Sequence, residues 1–408
     1  MVKEKYIVKS REINLSVTNG EISSVIKKNI TTSACRVYDN GRIGVAGKLG
    51  EADDALMEQA EENLKLGISY EAEATSGSVR REQMECGDLC VEDNRGFLKE
   101  AEEVLHILRE EYPQIIFGNK VYLMEESRQL INDAGTNLYY SDRICGYVLL
   151  IKHVDSVNVF DDSLIYAVRD YHREAFLKEA REHLDAFLHM VPLPEGDTLP
   201  VIINTMEFGS FLVQNLDAMA FGHNTSFFNG KLGKKLFDDK FSLYVDRSKD
   251  ILCNAFFDVE GSTCEDDKCY LIQNGVLVRP FADKKLAKEF GYENTATAAG
   301  AYDSVPTNTA NCFAGACTGH TLEELIGEGD GIYISVMSGG DFTSEGNFAS
   351  PVQTAFLYRG GKLAGRLPEF NISGNIYDMF GKDFVGITVD KPYEGEYKMV
   401  VKMKVNKN

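Results

Sequence analysis

Apolar and polar positions alternate through Ile13, Leu15 and Val17 and stop at Asn19-Gly20, so residues 13–26 predict a β-hairpin closed by a two-residue turn. The pattern returns at Cys35 and Val37, breaks at Asp39-Asn40-Gly41, and resumes at Ile43 and Val45 as a second hairpin. The period then lengthens. In ADDALMEQAEENLKLG, Leu56, Ala60 and Leu64 recur every four residues behind an acidic first turn, which predicts an amphipathic helix with Gly67 as its C-cap. Residues 69–96 are polar and rich in Gly, Ser and Glu and predict a loop. Phe97, Ala101, Val104, Leu105 and Leu108 form one helical stripe that Pro113 ends. Strands are predicted near 115–124, 126–132 and 144–154, with turn chemistry at Asn132-Asp133-Ala134-Gly135, and a long helix from about Tyr166 to Met190 follows.

The proline-rich stretch VPLPEGDTLP, with Pro192, Pro194 and Pro200, reads as a domain boundary. Beyond it a helix is predicted from about Thr205 to Phe221, then short strands around tight turns at Asn274-Gly275 and Gly360-Gly361. Thr321 and Glu324 make a capping box for a short helix ending near Gly327, and Ile332, Ile334 and Val336 alternate after it. The expected organisation is α+β: an N-terminal α/β domain of hairpins and amphipathic helices over 1–191, with a first part at about 1–68 and a central part at about 97–190, and a mainly antiparallel β domain over 192–408.

Composition narrows the function classes. The 408 residues are 44% apolar and 26% charged, an ordinary globular balance, and the formal net charge of −20 argues against a nucleic-acid partner. No apolar run approaches a membrane span and no leader pattern opens the chain, so the expectation is a cytoplasmic protein without a membrane partner. Nine cysteines cannot all pair. Cys86 with Cys90, Cys264 with Cys269 and Cys312 with Cys317 are close in sequence but lack zinc-knuckle spacing, so all are expected to be free structural or surface thiols in a reducing compartment.

Candidate chemistry is sparse. Among the seven histidines, His172 and His183 share a face of the predicted 166–190 helix with Glu179 between them, but eleven residues of helix separate the imidazoles by about 16 Å, too far for one metal ion. They read as solvated or packing residues. Neither a GxSxG elbow nor a phosphate-binding glycine loop occurs. The acids Asp258, Glu260, Glu265, Asp266 and Asp267 read as a solvated loop.

The ordered segments SFFNGKLGKKLF (226–237), FFDVEGSTCEDDKCYLIQNGVL (256–277), VPTNTANCF (305–313) and GDFTSEGNFASPVQTAFLYRGGKLAG followed by ISGNIYDMF resemble the TldD/PmbA (TldE) family, once named for modulation of DNA gyrase and described as metallopeptidase subunits. Val259 stands where the family has a second acid, and the N-terminal hairpins match the family's first domain without its usual opening helix. Catalytic relatives carry HExxxH on the helix before the SxFxGxxG strand, where two imidazoles hold zinc and the glutamate serves as base. By the family's spacing those positions fall near Gly209, Ser210 and Gln214, which cannot supply that chemistry. The cysteine ligand of catalytic relatives also lacks a counterpart after Gly386.

The resemblance therefore implies a TldE/PmbA-like, non-catalytic subunit of a zinc metallopeptidase complex acting on extended peptides. It implies no catalytic or metal-binding residue and no cofactor in this chain, with zinc in a TldD-type HExxxH partner; the protein pairs with that partner or with itself. Peptide would be held by strand addition, with Gly339, Gly340, Asp341, Phe342, Gly374 and Asn375 as wall elements. Two other readings stay open: a stand-alone metallopeptidase using His223 with Asp217 or Asp238, and a peptide-binding scaffold without an enzymatic partner.

Overall fold

The computed structural model describes residues 1–205, 209–337 and 339–407. Long ribbons build the first half. β1 (Val2–Thr18) turns at Asn19-Gly20 into β2 (Glu21–Asp39), which turns at Asn40-Gly41 into β3 (Arg42–Leu49). The turn residues have φ of 53° and 72° in the first hairpin and 47° and 71° in the second, the left-handed backbone that Asn tolerates and Gly adopts freely. α1 (Asp54–Asn63) is capped by the Asp53 carboxylate and buries Leu56, Met57 and Ala60. β4 (Val79–Gln83), α2 (Asn94–Glu111), β5 (Ile115–Asn132), β6 (Asn137–His153), β7 (Asp162–Val168) and α3 (Arg173–Leu188) complete this half. The seven strands run in the order β3-β2-β1-β5-β6-β4, with β7 also on β6; all pairs are antiparallel except β4 with β6.

Five details depart from the expected elements. The predicted 69–96 loop contains β4, and α2 starts three residues earlier than the apolar stripe, because the Asp93 side chain accepts the Gly96 N–H at 3.0 Å and caps it. The two strands expected at 115–132 are one. β6 starts at Asn137, seven residues ahead of the expected strand, directly after the turn in which Asn132 Oδ1 accepts the Ala134 and Thr136 N–H groups at 3.1 Å each. The helix predicted from Tyr166 begins at Arg173, since Leu164 and Tyr166 bury on a period of two against β6 and tertiary pairing overrides local preference.

The second half is mainly antiparallel. β8 (Thr198–Asn204) lies between Gly331–Met337, its parallel neighbour, and Lys398–Lys407. Lys398–Lys407 pairs with Phe370–Asn375, which pairs with Asn347–Arg359, and that strand returns to Gly331–Met337, so these strands close into a ring. Asp341–Phe342 extends one side of Asn347–Arg359 and ends the eight-stranded sheet. A four-stranded sheet, Val276–Leu277, Lys268–Gln273, Leu243–Asp246 and Phe313–Gly315, packs beside it. The Thr321 and Glu324 capping box forms as expected on Leu322–Ile326. No helix among the described residues is long and apolar enough to cross a membrane.

One apolar core crosses the sequence boundary at 192–200. Phe97, Leu105 and Leu108 of α2 and Phe176, Leu184 and Phe187 of α3 pack with Ile13 and Leu15 of the first sheet on one side and with Tyr333, Phe356 and Val400 of the ring on the other. A second contact joins Tyr6, Leu130 and Tyr140 to Phe256 and Phe257. Each such fully buried side chain contributes about 1.5–3 kcal/mol by removal from water.

A charged joint accompanies this core. Glu179 of α3 accepts the Glu394 N–H at 2.7 Å, the Lys398 ammonium bonds Glu394 at 2.5 Å and Asn204 at 2.6 Å, and His183 Nε2 lies 2.8 Å from Asp162, which also accepts the Ser335 hydroxyl at 2.5 Å. Burial, aided by the Glu394 carboxylate, pushes Glu179 up to about 7. Burial alone would lower His183, but Asp162, Glu394 and Glu179 leave it raised. Both groups therefore hold protons in the fold more tightly than in the unfolded chain, and the stability they give is complete at low pH and lost as pH rises through the folded values. Between pH 4.5 and 7.5 the parent should lose on the order of 2 kcal/mol more than Glu179→Gln, which keeps the acceptor without the charge. Urea midpoints at pH 4.5, 6 and 7.5 check this; curves that stay parallel for parent and variant would refute it.

The expectation of free thiols fails at one pair. Glu265–Asp267 folds as a tight 3-10 turn and brings Cys264 and Cys269 to a Cα separation of 5.4 Å, within disulfide reach, and they are bonded. Cys86, Cys90, Cys312 and Cys317 are free.

Candidate functional site

Two short helices occupy the region of the predicted 205–221 helix: α4 (Gly209–Leu216) and α5 (Ala218–Gly222). Positions 206–208 of that prediction lie outside the described residues. The break falls at Asp217, whose backbone is extended and whose carboxylate caps the Met219 N–H at 2.8 Å. Leu212 and Leu216 bury the inner face of α4. Gly209 is buried, and Ser210 and Gln214, one turn apart, face outward. Asn215 fastens α4 to the segment that follows it: its side chain accepts the Phe227 N–H at 2.7 Å, and its carbonyl accepts the Ser226 hydroxyl at 2.6 Å.

His223, Asp217 and Asp238 serve separate local roles. His223 is exposed at the end of α5 with its ring 5.6 Å from that of Phe290, Asp217 caps α5 and accepts from Asn308 at 3.2 Å, and Asp238 accepts the Lys240 N–H at 2.8 Å. Among the described residues, no group of three or more His, Cys, Asp or Glu side chains is arranged to hold a metal ion. His172 is an exposed N-cap residue of α3, whereas His183 is buried against Asp162.

The six proposed wall residues come together around one strand segment. Asp341 and Phe342 pair with Ala349 and Phe348 on one side, while Gly374 and Asn375 pair with Phe348 and Asn347 on the other. Ser350 donates its hydroxyl to the Gly339 carbonyl at 3.0 Å. Gly340 has φ of 107°, and a Cβ there would lie 2.8 Å from Ser350 Cβ and 2.9 Å from the Phe348 ring, so only glycine fits. Asn375 donates to Asn347 at 2.9 Å and accepts the Tyr377 N–H at 3.1 Å, capping the turn of helix Ile376–Met379.

Aromatic side chains that periodicity could not place join this wall to α4. The Phe342 and Phe211 rings are 4.7 Å apart, Phe211 and Phe227 5.2 Å, and Phe227 and Tyr377 5.5 Å. All four are half-buried. Lys231 lies over the Phe227 ring and donates to the Tyr377 hydroxyl. That Phe227, the first aromatic of segment 226–237, touches both Phe211 of α4 and Tyr377 depends on packing between distant parts of the chain, which no local spacing encodes.

The acidic run is not one solvated loop. Asp258 and Glu260 are buried; Asp258 accepts the N–H groups of Glu260, Ser262 and Ala298 at 2.9, 2.9 and 3.0 Å and organises a turn. Burial pushes Glu260 up to about 7 despite the nearby Lys284. Glu265 and Asp266 are exposed, and Asp267 pairs with Arg80.

Comparison with known proteins adds sequence and fold likenesses. Residues 196–400 match the PmbA/TldA metallopeptidase C-terminal domain. An uncharacterized protein of Methanocaldococcus jannaschii is 28% identical over 158 residues, 38% of this chain and 36% of that protein's length. TldE from Thermococcus kodakarensis superposes with a TM-score of 0.78 at 20% identity, covering 99% of this chain and 96% of the other. Proteins named as proposed modulators of DNA gyrase give TM-scores of 0.73 at 18% identity, over 99% and 96% of the two chains, for Thermotoga maritima and 0.74 at 16%, over 100% and 95%, for Bacteroides thetaiotaomicron. At such identities the structural likeness is one of fold.

Proposed function

The chain belongs to the PmbA/TldD family of metallopeptidase-like proteins, and from that membership we propose that it is a TldE-like subunit that holds extended peptide for a partner and does not cut it alone. The observation that carries this reading is the donor set on α4. Gly209 has no ligand, Ser210 is no base at neutral pH, and Gln214 is a neutral amide, so the residues at the family's zinc positions do not fit zinc. The ion and the hydrolytic base would come from a TldD-type HExxxH subunit.

Peptide would lie along Asp341–Phe342. This short strand ends its sheet, and backbone N–H and C=O groups on a sheet edge take an added strand without demanding particular side chains. The aromatic stripe beside it supplies apolar contact, and α4 carries no catalytic group that would compete with the partner's.

Co-expression with an HExxxH relative tests the reading. The expected result is a stable complex holding about one zinc ion, with peptide cleavage by the complex and none by this chain alone. Stoichiometric zinc and cleavage in the isolated chain would overturn it and redirect attention to His223 with Asp217 or Asp238. Separate elution of the two proteins at micromolar concentration would favour a scaffold without an enzymatic partner.

A further inference from the structure

We infer that the Lys231 ammonium is a carboxylate-recognition point, so that the peptide held beside α4 carries a carboxylate, either its own C-terminus or an acidic side chain, next to apolar residues. The inference rests on the peptide-holding function proposed above and specifies its ligand class.

Lys231 is set apart by the three aromatic rings that surround its ammonium. Among the described residues, no carboxylate lies within ion-pair distance of Lys231, although neighbouring Lys235 pairs with Asp239. Its Nζ sits 4.5, 5.1 and 5.8 Å from the ring centres of Phe227, Tyr377 and Phe228. These rings hold the cation in place while leaving its charge uncancelled. An ammonium has three donors. One goes to the Phe227 carbonyl at 3.1 Å and one to the Tyr377 hydroxyl oxygen. The third has no acceptor among the described residues, nor does the Tyr377 hydroxyl hydrogen. Two unused donors side by side match the two oxygens of a carboxylate.

Position supports the same assignment. Lys231 is half-buried, where an ion pair is screened less than at an open surface. Ring contacts of 4.7, 5.2 and 5.5 Å lead from Phe342 on the sheet edge through Phe211 and Phe227 to Tyr377, within reach of about four residues of extended chain. A peptide added at Asp341–Phe342 can thus lay apolar side chains on the stripe and bring a carboxylate to its end.

The test uses the full chain and a fluorescein-labelled heptapeptide of alanine and valine ending in phenylalanine, prepared as the free acid, as the amide, and as an amide with glutamate in the penultimate position. Anisotropy titrations should show the free acid binding about tenfold tighter than the plain amide, a carboxylate contact of ordinary strength. The glutamate amide reports whether a side chain serves as well as the terminus. Lys231→Met should abolish the acid preference, Lys231→Arg should keep most of it, and Tyr377→Phe, which spares the cation, should reduce it about threefold. Equal binding of all three peptides to the parent, or a preference that survives Lys231→Met, overturns the assignment and leaves the peptide groove standing. Failure of every peptide to bind removes the groove and the assignment together.

Discussion

Asp142→Ala should lower the free energy of unfolding by about 3–5 kcal/mol, because it leaves a guanidinium and a backbone donor stranded. The Asp142 side chain is fully buried. It takes Arg169 Nε at 2.9 Å, the Tyr140 hydroxyl at 2.8 Å and the Cys253 N–H at 2.8 Å. Arg169 in turn donates to the carbonyls of Lys249 and Ile251 at 2.5 and 2.8 Å, so the carboxylate ties β6 and β7 to the 249–253 segment of the second half. Asp142→Asn keeps an acceptor without the charge and should fall between parent and alanine variant. Urea unfolding followed by far-UV circular dichroism measures the series; a loss below about 1 kcal/mol for alanine would place this group with surface ion pairs.

Gly340→Val should weaken binding of extended peptides by on the order of 10- to 100-fold while leaving most of the molecule folded. The valine Cβ would have to occupy space within 3 Å of Ser350 and Phe348 at a backbone angle, φ 107°, that β-branched residues avoid. The cheapest relief is to lift the 339–342 turn from the strand Asn347–Arg359, which displaces the sheet edge to which peptide would add. A cost of about 1–3 kcal/mol in stability accompanies that strain. Anisotropy with the same labelled peptides, run beside thermal unfolding, separates the two effects. Unchanged affinity in a folded variant would mean that peptide is held elsewhere.

Much of the architecture was legible where one residue type answers one local need. Asn19-Gly20, Asn40-Gly41 and Asn274-Gly275 adopt positive φ and make the predicted hairpins, and Thr321 with Glu324 caps its helix. Legibility ended where distant chain decides. Tyr166 suits a helix as well as a strand until β6 pairs with it. Val79–Gln83 has no pattern of its own and becomes a strand by lying parallel to Asn137–Ser141. Asp258 and Glu260 resemble any acidic loop until the chain closes over them, and the pairing of Cys264 with Cys269 depends on a turn whose middle residue, Asp266, has a left-handed backbone. At the candidate site, only the identities Gly209, Ser210 and Gln214 are readable one residue at a time. The aromatic path from Phe342 to Tyr377 joins four segments of the chain and exists only in the folded protein.

The closed ring sets a schedule for biosynthesis. Asn204 on β8 accepts a hydrogen bond from Lys398 at a sequence separation of 194. At about 5–20 residues per second, β8 waits roughly 10–40 s at the ribosome before that neighbour has been polymerised. During the interval the nascent polypeptide presents a hydrophobic ribbon, Leu199, Val201 and Ile203, with both flanks uncovered until Gly331–Met337 is made and one uncovered thereafter. Long-range closure of this kind is slow and exposes the chain to premature association, so the later half of synthesis is when assistance from chaperones would matter most.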